Sequence, residues 1–211
     1  MLHYVYGHDL HHVPELARTM FTDRATQFRD RLAWDVQVDP NGYERDQYDD
    51  LNPLYAIWQK PDGTHGGSMR FLPTVGRTMV AEHFQHLTDG VTIASPLIWE
   101  CTRFCLAPGA GSRESAALVL AAGELMTQFH LRHFVGVFDA RMPRIYRRYG
   151  LNPDVIGQAG TGKDLIAVGL WEMNNEVWEP TLRRVGIDRA TSKNWLLRSL
   201  ALRPQKEPIF A

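Results

Sequence analysis

Glu100 and Arg103 lie three residues apart in a run, residues 97–106 (LIWECTRFCL), whose other members are mostly apolar, aromatic or β-branched. Such a run reads as a central strand, and a charge buried there costs several kcal/mol unless it is paired or liganded. A carboxylate in that setting can serve as a general base; it can equally be half of a structural ion pair. Regular alternation sends Glu100 and Arg103 to opposite faces of a flat strand, so action at one site requires a bulge or a splay between them. Arg70, inside a second strand-like run, is a third such charge, and either Glu100 or a carboxylate ligand would suit it as partner.

Other groups widen the choice of chemistry. Glu44, Asp46 and Asp49 crowd a polar stretch before Asn52-Pro53; such a loop is either simply solvated or an anionic pocket for an amine or sulfonium cation. Arg24, Phe28 and Trp34 form a cationic and aromatic series that could cover a planar charged ligand, or serve as ordinary core and snorkelling residues. Gly109 and Gly111 precede a helix whose N-terminus could cradle a phosphate. His3, His8, His11 and His12 crowd the first twelve residues, but no cysteine or carboxylate arrangement completes a metal site, and no metal is expected. Cys101 and Cys105 share one strand, too far apart for a disulfide, and read as reduced, packed thiols. Arg132, Arg141, Arg144, Arg147 and Arg148 are the densest basic cluster, with only Asp139 to offset them. On a helix, positions 141, 144 and 148 share a face, either solvated or suited to an acidic protein partner or a phosphate-bearing substrate.

Positioning these groups calls for an α/β (α+β) arrangement. Leu16, Met20, Arg24, Phe28 and Arg31 recur at helical spacing from Pro14 to about residue 32. Residues 34–39 alternate as a strand, closed by the turn Pro40-Asn-Gly42. Residues 54–59 and 67–72 form a hairpin about the turn at 60–64, followed by a short segment, 79–87, with Phe84 on its apolar side. After the run at 97–106, Ser112 can cap a helix to about residue 130; residues 134–138 and 165–171 are buried strands, and a helix over 140–149 ends at Gly150. The order predicts a mixed central sheet of about six or seven strands flanked by helices.

The chain has 211 residues, 44% apolar and 22% charged, with a net charge of −1. That suits one domain, residues 1–211, with an N-terminal helical segment over 1–35, a sheet core over 36–185 and a C-terminal tail over 186–211. The near-neutral balance, and a basic cluster not interleaved with stacking aromatics, argue against nucleic acid as a partner. With no signal peptide and no apolar run able to span a bilayer, no membrane association and a cytoplasmic location are expected.

Arg24, Phe28, Trp34, the run Glu44-x-Asp46-x-Tyr48-Asp49, Arg70-Phe-Leu-Pro-Thr74, Phe84 and Trp99-Glu-x-Thr-Arg-Phe104 together resemble the acyl-homoserine-lactone synthase (autoinducer synthase) family. The resemblance implies a fold like that of the GNAT acyltransferases, with a splayed central strand pair. It implies transfer of an acyl group from a thioester, acyl-acyl carrier protein or acyl-coenzyme A, to the α-amine of S-adenosylmethionine. Lactonisation then releases 5′-methylthioadenosine and an N-acyl-homoserine lactone, the quorum-sensing signal. S-adenosylmethionine is a substrate there, and no cofactor is implied.

By the same resemblance Glu100 is the base and Arg70 orients it. Asp46 and Asp49 hold the substrate ammonium and neighbouring groups, while Arg103 takes its carboxylate. Arg24, Phe28 and Trp34 belong to a lid over the adenosine, Phe84 lines the cleft, Gly136 and Phe104 belong to the acyl pocket, and the five-arginine cluster is a carrier-binding patch, for the acidic surface of acyl carrier protein or the phosphates of an acyl-coenzyme A. Three positions depart from the family pattern: Thr102 where serine is common, Arg77 where proline is frequent, and Gly136 where synthases of 3-oxo products often carry threonine. The glycine leans against a 3-oxo acyl group and suggests a reshaped acyl pocket. Other readings of the residues are an N-acyltransferase acting on another amine, which would not need the acidic block at 44–49, and a non-catalytic binding protein of the same fold.

Overall fold

The computed structural model describes residues 1–201. Seven strands form one mixed sheet in the order β1-β2-β3-β4-β5-β7-β6: β1 (Leu2–Tyr6), β2 (Leu54–Gln59), β3 (His65–Pro73), β4 (Ile98–Leu106), β5 (His133–Asp139), β6 (Asp154–Ala159) and β7 (Ile166–Trp171). The helices are α1 (Pro14–Ala25), α2 (Met79–His83), α3 (Ser112–Gln128), α4 (Met142–Arg147), α5 (Asn175–Val185) and α6 (Arg189–Ala201). All pairings are antiparallel except β4 with β5. Among the described residues no helix is long and apolar enough to cross a membrane.

β3 is buried on both faces over eight of its nine residues, because helices cover both sides of the sheet. On one side α3 lays Ala117, Leu118, Ala121 and Leu125 against Leu54, Ala56, Met69 and Phe71, with α5 and α6 completing the main core. On the other, Leu16, Met20 and Phe21 of α1 pack on Tyr55 and Ile57. Burying each such large apolar side chain contributes roughly 1.5–3 kcal/mol.

The splay that Glu100 and Arg103 require is present. β4 and β5 pair only over Ile98–Glu100 and His133–Val135, and then part. On its other edge β4 shifts register against β3 between Ser68 and Arg70. Arg103 itself takes a positive φ of 54°, a left-handed conformation that costs a non-glycine residue about 1–3 kcal/mol and is held only by surrounding structure.

Several sequence expectations need correction. Residues 34–39 form no strand: the Trp34 N–H donates to the Phe28 carbonyl and the Val36 N–H to the Trp34 carbonyl, so the segment bonds locally and keeps one isolated bridge, Val38 to Glu44. The N-terminal segment is not wholly helical, because β1 forms the sheet edge beside β2, and α1 passes into a π-type turn over Thr26–Arg31. The segment expected as a tail carries α6, whose Trp195 meets Trp58 with ring centroids 5.9 Å apart; the rest of that segment, 202–211, lies outside the described residues. Gly111, not Ser112, is the N-cap of α3.

Candidate active site

Three arginines and three carboxylates from four parts of the chain interlock beneath the splay. Arg24, at the end of α1, donates from Nε to Glu44 Oε2 at 2.6 Å and from Nη1 and Nη2 to the two Asp49 oxygens at 2.9 Å each. Arg70 donates to both oxygens of Asp46, at 2.5 and 3.0 Å, and from Nε to Thr102 Oγ1 at 3.1 Å. Its Nη1 also lies 2.9 Å from Asp49 Oδ1. Arg103 bridges Glu44 at 2.9 Å and Asp46 at 2.7 Å. Tyr55 adds a hydroxyl donor to Asp49. Charges balance within the network, which is what allows it to be buried.

The network divides by depth. The side chains of Arg24, Arg70, Glu44 and Asp49 are at most 1% exposed, whereas those of Arg103 and Asp46 are 11% and 14% exposed. Burial pushes the Asp49 carboxyl up, but Arg24 and Arg70 outweigh it and hold the group well below the usual carboxylate range. Asp46 is held low in the same way, by Arg70 and Arg103 against burial. Of the two aspartates assigned to the substrate ammonium, then, only Asp46 faces open space; Asp49 is sealed.

Glu100 is 1% exposed. Its oxygens accept the backbone N–H groups of Met79 at 3.1 Å and Val80 at 2.6 Å, the free donors of the first turn of α2, which Thr78 caps through its side chain. Burial raises the Glu100 pKa, with these N–H bonds offsetting part of the effect. Arg70 makes no hydrogen bond to Glu100; its guanidinium is directed to Asp46, Asp49 and Thr102. The expectation that Arg70 orients Glu100 is therefore corrected: the start of α2 does so, a device readable in hindsight from the Thr78 cap.

Two cavities meet above this floor. One, of about 690 Å³, runs between β4, β5, α3 and α4, its largely apolar wall including Met69, Phe104, Met126, Gly136, Tyr146 and Trp171. The other, of about 1010 Å³, is the more acidic, with Asp35, Asp39, Glu44, Asp46, Tyr48 and Phe84 on its wall. Trp34, Met79, Arg103, Val137, Phe138 and Asp139 line both. Phe28 and Trp34 stack at 5.2 Å with planes 4° apart, and the Arg103 guanidinium sits 5.5 Å over the Phe28 ring. Glu100 lines neither cavity.

Gly136 does not open the apolar cavity. A Cβ there would come within 2.8 Å of the Cys101 carbonyl oxygen and 3.4 Å of the Trp171 ring, so the glycine admits close approach of β4 and an indole instead of leaving a void. Of the basic cluster, Arg141 pairs with Asp139, and Arg132 stands at the opposite end of β5 from the rest. Arg144, Arg147 and Arg148 are exposed on and just after α4, joined by Arg184, which donates to the Arg148 carbonyl and covers the Tyr149 ring.

One other constellation carries no chemistry here. Asp23, His65 and Ser68 are aligned like a nucleophilic triad, with His65 Nδ1 2.7 Å from Asp23 and Nε2 3.0 Å from Ser68. Ser68 is 1% exposed and lines neither cavity, so the three latch α1 to β3. Among the described residues no group of three or more His, Cys, Asp or Glu is placed to hold a metal ion.

Comparison with known proteins converges on one family. The family model described as autoinducer synthase matches residues 8–179. An acyl-homoserine-lactone synthase of Rhizobium etli is 41% identical over 161 residues, covering 73% of this chain and 76% of the relative. Among solved structures, one described as a CoA-dependent acyl-homoserine lactone synthase, MesI, superposes with a TM-score of 0.77 at 24% identity, over 89% of this chain and 96% of its own. An acyl-CoA N-acyltransferase from Pseudomonas aeruginosa superposes with a TM-score of 0.53 at 16% identity, over 82% and 99%, so the wider acyltransferase fold is shared.

Proposed function

The chain belongs to the acyl-homoserine-lactone synthase (autoinducer synthase) family, acyltransferases that make quorum-sensing signals, and from that premise we propose how its two cavities divide the reaction. S-adenosylmethionine occupies the acidic cavity and the acyl chain the apolar one, so that the amine and the thioester carbonyl meet at the shared wall by Arg103, Met79 and Val137. The observation that carries this reading is the junction of an apolar and an acidic cavity at one cationic side chain.

Each group then has a role its surroundings support. Asp46, partly exposed on the polar wall, attracts the substrate ammonium and sulfonium, and Arg103 receives the carboxylate. Asp49, Arg24 and Arg70 touch no substrate; they fix Asp46, Glu44 and Arg103 in place. Trp34 on Phe28, with Phe84 across the cleft, offers flat surfaces to the adenosine. A free α-amine titrates near pH ~8, so a carboxylate of raised pKa suffices as its base, and Glu100 is that base. Because it lines neither cavity, the proton reaches Glu100 through an intervening water beside Met79. Backbone N–H groups of β4 beyond Glu100, released from pairing with β5, stabilise the tetrahedral oxyanion.

Once the nitrogen is acylated, attack of the substrate carboxylate on its own γ-carbon expels the sulfonium and closes the five-membered lactone. Proximity within one molecule supplies most of that advantage. Incubation with S-adenosylmethionine and a panel of acyl thioesters, followed by mass spectrometry, should give an N-acyl-homoserine lactone and 5′-methylthioadenosine in equal amounts. Acyl transfer without 5′-methylthioadenosine would overturn this reading in favour of an N-acyltransferase on another amine.

A further inference from the structure

The apolar cavity has a direction. Phe134, Gly136 and Phe138 alternate along β5, so they share one face, and all three line the cavity. Phe138 also lines the acidic cavity, which places the reacting atoms toward its end of the strand. Phe134, at the other end, pairs with Trp171 of β7. The stretch of strand between Phe138 and Phe134 spans about 13 Å at roughly 3.3 Å per residue. Midway, Gly136 and Gly169 are cross-strand partners, and a Cβ on either would stand 3.4 Å from the Trp171 ring. The indole therefore lies over a bed of two glycines, meeting Phe138 and Tyr146 at ring-centroid distances of 5.4 and 5.2 Å, and paves the long wall of the cavity.

Met173 stands at the remote end, just past β7. On α3, Ala122 and Met126 line the cavity but Gly123 between them does not. A Cβ on Gly123 would come within 2.7 Å of Met173 Cε and 2.8 Å of Trp178 Cζ2. Glycine inside a helix is unfavourable relative to alanine; here it is the notch that seats the Met173 side chain across the end of the cavity. Five of the chain's seven methionines, Met69, Met79, Met126, Met142 and Met173, line this one cavity, and their unbranched, polarizable side chains conform to a flexible ligand. We propose that Met173, seated on Gly123, is the specificity residue that sets acyl length. The chain it admits is unbranched and about ten to twelve carbons long, since an extended chain advances about 1.2 Å per bond. This rests on the synthase reading above and names the acyl class that its apolar cavity takes.

The test follows binding of N-acyl-homoserine lactones by titration calorimetry, over a graded series of straight acyl chains running well past the expected length, with branched and aromatic acyl groups beside them. Binding needs no turnover, so the profile is read separately from the synthase reading, which stands or falls on 5′-methylthioadenosine release by the wild type. Wild-type affinity should rise about fourfold per added methylene and stop rising near about ten to twelve carbons. Met173→Ala, which cuts the side chain back to its Cβ, should move that break longer by about two to three carbons. Gly123→Ala, which pushes Met173 Cε into the cavity, should move it shorter, and Met173→Leu, of similar reach, should restore the wild-type break. Thermal midpoints on the same samples separate a lost fold from a changed profile. A break that stays in place in both Met173→Ala and Gly123→Ala, or tighter wild-type binding of branched or aromatic acyl groups than of straight ones, would overturn the proposal.

Discussion

Glu100 illustrates how a single side chain is made useful by what surrounds it. Two N–H groups of α2 hold its oxygens, while burial raises its pKa, so it is both fixed in place and a better proton acceptor than an exposed glutamate. Glu100→Gln keeps the shape and should lower kcat by about 10²- to 10⁴-fold, with the KM for S-adenosylmethionine little changed. In the wild type, kcat should rise with pH through a pKa above the ordinary carboxylate value, and that limb should vanish in the variant. An unchanged rate in folded Glu100→Gln would remove it as the base. From the sequence, Glu100, Arg103 and Arg70 were recognisable because charges in strand-like runs demand partners, but the partners were not. The sequence points Arg70 toward Glu100, whereas it faces Asp46 and Asp49, because pairing across a loop 20 or more residues away leaves no local pattern.

At the scale of elements, the site depends on one short helix and one interrupted strand pair. α2 has only five residues, too few to persist alone, so its first turn is held by the Thr78 cap and by Glu100. Thr78→Ala should lower stability by about 0.5–2 kcal/mol and reduce kcat by releasing the N–H groups that hold Glu100, a coupling read by measuring urea midpoints and turnover on the same samples. Loss of stability with no change in kcat would show that α2 does not position the carboxylate. The helix α3 and strands β2 to β5 followed from periodicity and β-branched runs. β1 did not, since His3 interrupts an already short pattern, nor did β6, whose residues are mostly exposed at the sheet edge. The false strand at 34–39 shows backbone donors of Trp34 and Val36 satisfied locally, by the Phe28 and Trp34 carbonyls, where an alternating pattern assigns them to a neighbouring strand.

The whole molecule is stabilised by a buried charge network and will reveal it on acidification. Asp46 and Asp49 have folded pKa values below their unfolded ones, and His65, depressed by burial against the pull of Asp23, is likewise below its unfolded value. The unfolded chain therefore binds more protons in each window, and stability rises with pH there. On lowering the pH, the His65 contribution should fade below about pH 6.5 and the aspartates' below about pH 4. Asp49→Asn should be destabilised by about 3–5 kcal/mol at neutral pH and show a shallower acid limb in urea unfolding; a slope equal to wild type would assign the acid sensitivity elsewhere. At this scale too, the two cavities give each substrate its own wall, and that division is most directly tested by steady-state kinetics of Phe84→Ala, which alters only the acidic cavity, beside Phe104→Ala, which alters only the apolar one. A raised KM for S-adenosylmethionine with the acyl donor's KM unchanged is expected in the first, and the reverse in the second. If both variants disturbed the same substrate, or each disturbed the other's, the assignment of the cavities would be contradicted.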